Sequence, residues 1–169
     1  MSLFKMKKNK NIGTIIFSLL FSVNINSQGI YTQINGADSV FLISHTGKAI
    51  IKKSEPVENY ELIIDQKLNY KLVKEKVLVQ GKNLKQLANI VSGDFKDSLI
   101  EYSCFCDFKQ AIIIYKNNKL SFIDISFGQR DIQTSDDIEI KNRDFDNATW
   151  DKLKLFFRKM GLKLGLRKY

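Results

Sequence analysis

The sequence predicts an α+β fold: a mainly antiparallel β-sheet with two amphipathic helices packed on one face. Three observations lead there. Apolar runs separated by short polar turns recur between residues 40 and 127, and two segments, 83–92 and 147–160, carry apolar side chains at helical spacing. Strand and helix signals do not alternate, as a parallel sheet built from crossover units would require.

The elements follow in order. Val40-Phe41-Leu42-Ile43 and Lys48-Ala49-Ile50-Ile51-Lys52 flank Ser44-His45-Thr46-Gly47, the pattern of a β-hairpin around a glycine-containing turn. Tyr60 to Ile64 is a third strand. Residues 68–79 stay open between two states. Leu68, Tyr70 and Leu72 alternate like a strand, whereas Val73, Val77 and Leu78 fit a helix.

In 83–92, Leu84, Leu87, Ala88 and Val91 fall on one helical face, with Asn83 as N-cap and Gly93 as the stop. Leu99 to Phe105 alternates loosely. Ala111-Ile112-Ile113-Ile114-Tyr115 and Leu120 to Phe127 are separated by Lys116-Asn117-Asn118-Lys119, and asparagine tolerates the positive φ that a tight hairpin turn demands. Neither face of the second strand is wholly polar, so this hairpin belongs in the interior of the sheet. Gln129 to Ser135 reads as a solvated connection, and Ile138-Glu139-Ile140 as a short edge strand. The closing helix takes Asp146 or Asn147 as its cap. It repeats Trp150, Leu153, Phe157, Met160 and, if the helix continues, Leu164 on one face, with Phe156 widening the stripe, and Gly161 ends its regular part. Lys152, Lys154, Arg158 and Lys159 lie opposite and complement the helix dipole.

The first 27 residues are set apart. Lys5, Lys7, Lys8 and Lys10 form a positive head, an apolar run extends from Ile12 to Val23, and the small Ser27 follows. That three-part order is the pattern of a secretory signal peptide, and the apolar part falls short of the roughly 20 residues a spanning helix needs. The expected organisation is therefore a signal peptide over 1–27 and a single α+β domain over 28–169, without a transmembrane segment in the mature chain. The expected location is the periplasm or outside the cell. A remainder of about 140 residues is large enough to bury its own core.

Charge and cysteine count narrow the function classes. The signal segment takes four lysines with it, so the formal charge of +9 overstates the rest of the chain. Acids and bases are interleaved until the last twenty residues, which argues against a nucleic-acid partner. Two cysteines are too few for a disulfide scaffold.

The chemistry-bearing candidates are few. Cys104 and Cys106 sit two apart, so in a strand both sulfurs face one side, where they suit a thiol-redox pair or a soft metal such as Cu(I). Burial as two small apolar side chains is the favoured reading of the pair. His45, the one histidine, falls in the expected turn and reads as a surface residue. Asp131, Asp136, Asp137, Glu139, Asp144 and Asp146 are dense, yet they lack the glycine-turn spacing of a calcium loop. Lys152, Arg158, Lys159, Lys163 and Arg167 offer contact with an anionic surface, provided Trp150, Phe156 and Phe157 face a membrane; core packing of those rings is the favoured alternative. No phosphate-binding glycine loop, zinc-protease or serine-hydrolase motif is present. No catalytic residue, cofactor or cofactor-binding residue is assigned.

Residues 104–127, from Cys104-Phe105-Cys106 through the apolar strand ending in Tyr115, the Asn117-Asn118 turn and the second strand, resemble a segment of small exported proteins of unknown function in Gram-negative bacteria. The resemblance implies export and supplies no activity. Further cysteines of that group would fall near Ser126 and Gln129 and are absent here, which leaves a thiol role without its second pair. The expectation is a non-catalytic envelope protein that binds an envelope or extracellular protein. Its alternatives are a thiol-redox or soft-metal role at Cys104 and Cys106, and a secreted inhibitor or immunity-type protein.

Overall fold

In a computed structural model of the chain, the described residues are 29–46, 61–93, 108–138, 140 and 145–166. The elements among them are α1 (Ile30–Asn35), β1 (Ser39–His45), β2 (Ile63–Ile64), β3 (Lys67–Leu68), β4 (Val73–Val79), α2 (Lys82–Val91), β5 (Gln110–Lys116), β6 (Lys119–Ser126), β7 (Asp131–Thr134) and α3 (Asn147–Lys159). The fold is α+β. Five antiparallel strands lie in the order β4-β1-β5-β6-β7, and β2 and β3 form a separate small hairpin.

The apolar residues of β1 explain its place. Val40 and Leu42 point to one face while Phe41 and Ile43 point to the other, and a strand apolar on both sides is most stable between neighbours. β1 accordingly pairs along Val40–His45 with β4 and along Ser39–Ser44 with β5. This corrects the expected 40–52 hairpin: both edges of β1 are taken, and the expected partner, 48–52, lies outside the described residues. The ambiguity over 68–79 resolves into the end of β3 and the whole of β4. Its Val77 and Val79 contribute to the helix-side cluster.

The β5–β6 hairpin forms as its turn chemistry requires. Asn117 and Asn118 adopt φ of 49° and 62°, the pair of left-handed residues that a primed two-residue turn needs. Asp38 holds the turn by accepting from the Asn117 backbone N–H at 2.7 Å. Two sequence expectations after this hairpin are corrected. The stretch 131–134 is an edge strand paired with Ile123–Ser126. Ile138 and Ile140 instead bury in the helix-side core, Ile138 outside any strand. Ile132 alone satisfied one face of β7, too short a signal to register.

Side chains from all three helices enter one apolar cluster with Val40, Leu42, Ile112, Ile114, Ile123 and Ile125. Trp150, Leu153, Phe156 and Phe157 of α3 are buried there, and Phe127 meets Trp150 and Phe157 edge to face. The opposite face gathers Ile43, Ala111, Ile113 and Leu120, covered by Leu62 and Leu68 around the β2–β3 hairpin. α3 begins as the sequence indicates, with the Asp146 carboxylate accepting from Thr149 N–H at 2.7 Å, and Gly161 follows it at φ 99°. α2 departs from expectation at both ends. Gly81 is its N-cap and Ser92 its C-cap, while Asn83 lies inside the first turn with its Oδ1 buried and unbonded.

After α3 the chain turns back and is fastened to the sheet. Glu75 accepts from the backbone N–H groups of Lys163 and Leu164 at 3.0–3.1 Å, and Gln110 Nε2 donates to Leu164 O at 2.9 Å. Arg158 Nε donates to Leu166 O, and Leu162 and Leu166 are buried. Among the described residues, no helix is long and apolar enough to cross a membrane.

Candidate functional site

The helical register of α2 places Lys82, Lys85, Gln86 and Asn89 on one solvent-facing stripe, because residues three and four apart stack along a helix. The buried side of the same helix, Leu87, Ala88 and Val91, fixes which way that stripe points. α3 is oriented by its own core face and brings Asp146, Thr149 and Lys152 alongside. Together these residues, with Ile90 and Gly93, line an open groove of about 610 Å³. Farther along, Lys159 Nζ donates to Gln86 Oε1 at 3.0 Å and ties the two helices together.

The groove is electrostatically unbalanced. Among the described residues its one carboxylate, Asp146, is engaged as the α3 cap. The Thr149 hydrogen bonds, with the nearby Lys152 ammonium in support, hold its carboxyl below the usual range. Among the described residues neither Lys82 nor Lys85 is paired with a carboxylate. The lining can therefore attract a negative group with its ammoniums and hydrogen-bond it with the Gln86 and Asn89 amides. It contains no His, Cys or Ser among the described residues.

A second constellation lies on the opposite face. His45 is 3% exposed, and its Nε2 lies 2.9 Å from Asp124 Oδ1, which also accepts from the Ile125 backbone N–H. This corrects the reading of His45 as a surface turn residue: it ends β1 inside the sheet. The bond spans β5, where the residue in register with Asp124 is Ala111, small enough to leave room above it. Nearby on β6, Ser126 Oγ is bonded to Gln129 Oε1. Neither His45 nor Asp124 lines the groove.

The remaining sequence candidates are dispersed. Cys104, Cys106 and Arg167 lie outside the described residues. Lys152 lines the groove, Lys159 borders it through Gln86, Arg158 holds the C-terminal segment, and the backbone of Lys163 binds Glu75. Trp150, Phe156 and Phe157, needed for an interfacial helix, are buried in the core. Of the acids, Glu139 and Asp144 also lie outside the described residues, and three of the others are engaged locally, Asp146 as the α3 cap. Asp137 accepts from Ser121 Oγ at 2.6 Å and pairs with Lys119 Nζ at 3.1 Å, and Asp131 accepts from the Ile132 N–H. Burial pushes the Asp137 carboxyl up, but the Ser121, Ser135 and Lys119 bonds outweigh it and hold it below its ordinary value. Among the described residues no group of three or more metal-ligating side chains converges.

Sequence reading passed over Lys82 and Lys85, although their spacing with Gln86 and Asn89 was a usable signal. The missing information was that α3 lies beside that stripe. The His45–Asp124 pair had no local signal at all, since its partners are brought together only by the strand order. Comparison of the chain with protein-family models, curated proteins and solved structures returned no match.

Proposed function

We propose that this chain is an exported envelope protein that acts as a non-catalytic binding domain and takes a negatively charged partner into the groove between α2 and the start of α3. One observation carries the reading: lysines from two different helices converge on a groove of about 610 Å³, and two of them lack a carboxylate partner among the described residues. Clustered unpaired cations raise the local concentration of an anionic ligand and speed its capture. The amides beside them add directional hydrogen bonds without supplying a nucleophile or a general base. Export is supported by the charged head, apolar run and Ser27 exit of the first 27 residues.

The test has two arms. Mass spectrometry of the chain recovered from its native envelope is expected to give a species lacking about the first 27 residues. The full-length chain recovered from the cytosol refutes export. Affinity capture from the same envelope is then compared between the native chain and Lys82→Glu/Lys85→Glu/Lys152→Glu. The reading expects partners that elute with salt and are lost in the variant, with Cys104→Ser/Cys106→Ser unaffected. Identical capture by the charge-reversed protein refutes the groove as the binding site.

A further inference from the structure

Lysines do not line the groove evenly. Lys82 and Lys85 stand at the N-terminal end of the α2 stripe, Gln86 and Asn89 in the middle, and the half-buried Ile90 near the far end. A uniformly charged polyanion matches only the first part of that sequence: it meets an apolar side chain at one end and the Asp146 carboxylate across the groove. Resting on the binding role proposed above, we infer that the occupant is an extended peptide segment of the partner, with acidic side chains at two alternate positions and an apolar side chain at the third.

The spacing follows from backbone geometry. Lys82 and Ile90 are eight residues apart on one helix, a rise of about 12 Å, and Lys82 and Lys85 differ by about 4.5 Å. In an extended segment, residues i, i+2 and i+4 face one side and span about 13 Å. An acid at i therefore faces Lys82, an acid at i+2 faces Lys85, and an apolar residue at i+4 reaches Ile90. Gln86 and Asn89 sit between, where the peptide backbone presents both N–H and C=O groups for their amides. Lys152 shares the groove with the Asp146 carboxylate, so the Lys82–Lys85 pair supplies most of the discrimination for acid.

The test is fluorescence anisotropy on the purified full chain with a labelled peptide containing Glu-Ser-Glu-Ser-Leu. Its comparison peptide ends in Glu in place of Leu, and inorganic polyphosphate serves as the uniform polyanion. The leucine peptide is expected to bind at least tenfold more tightly than the all-acidic one. It is expected to weaken at least tenfold in Lys82→Glu/Lys85→Glu and in Ile90→Asp. The surface variant Asn89→Glu should weaken it as well, and thermal melts of each variant show that the fold is retained. Equal or tighter binding of the all-acidic peptide overturns the inference, and so does binding that ignores both Ile90→Asp and Asn89→Glu. Polyphosphate bound in a lysine-dependent way without the leucine peptide overturns the peptide inference alone and leaves the anion-binding role standing. Neither probe bound overturns the inference; the capture comparison then decides separately on the groove.

Discussion

Replacing Asp124 by Ala removes the oxygen that His45 Nε2 and the Ile125 N–H both share, at 2.9 and 3.0 Å, beneath a sheet face where His45 is nearly inaccessible to water. Water cannot readily replace the lost acceptor, so the cost is that of a buried polar group stripped of a charge-assisted bond. That cost is about 2 kcal/mol, within the roughly 1–3 kcal/mol found for such groups. For a fold of this size each kcal/mol corresponds to about 3–4 °C, so Tm is expected to fall by about 7 °C. The assay is a double-mutant cycle by urea unfolding, with His45→Ala, Asp124→Ala and the combined variant. If the two side chains stabilise one another, the second deletion costs much less once the first is made, and the coupling is at least about 1 kcal/mol. Losses that add to within about 0.5 kcal/mol, the range for independent sites, refute the pairing as a source of stability.

Leu153, fully buried where α3 meets the sheet, is expected to cost about 3 kcal/mol on replacement by Ala, because the surrounding rings cannot close the void; chemical denaturation reads this directly. Gly165→Ala should lower Tm. The residue sits at φ 68°, and an added Cβ would lie 2.6 Å from the Gln110 amide that is bonded to Leu164 O. The combined variant Gly165→Ala/Gln110→Ala should recover less than the clash relieves, since it also breaks that bond. Asp137 and Glu75 both titrate below their ordinary values in the fold; for Glu75, burial raises the carboxyl, and the Ser44 hydroxyl together with the Leu164 and Lys163 N–H groups outweighs it. Their contribution is therefore complete above the unfolded-state carboxylate range and disappears as pH falls through the lower folded values. The urea midpoint should drop between about pH 5 and pH 3, less steeply in Asp137→Asn/Glu75→Gln. An unchanged slope in that variant contradicts the assignment.

Much of the fold was legible where the signal was local. The Asn117-Asn118 turn, the amphipathic faces of α2 and α3, the Asp146 cap and the Gly161 stop each depend on residues within a few positions of one another. The errors came where nonlocal competition decided. Residues 40–43 read as half of a hairpin because an apolar run beside a glycine turn fits that pattern, yet the same two-sided apolarity suits a central strand still better. Asn83 is a good cap by type, but Gly81 caps the helix two positions earlier. The groove was half visible, in the α2 stripe and in Lys152, while their meeting depended on packing between helices far apart in the chain. His45 and Asp124 are 79 positions apart and became neighbours only through the order β1-β5-β6.

The position of β1 has a bearing on how the molecule is made. The strand at the heart of the sheet is made before both of its neighbours, which follow roughly thirty and seventy residues later, and the clasp on Glu75 and Gln110 comes from residues beyond α3. Chain well beyond β1 must therefore emerge from the ribosome before the strand has both neighbours, and such long-range closure is slow. The nascent chain stays open and threadable for that interval.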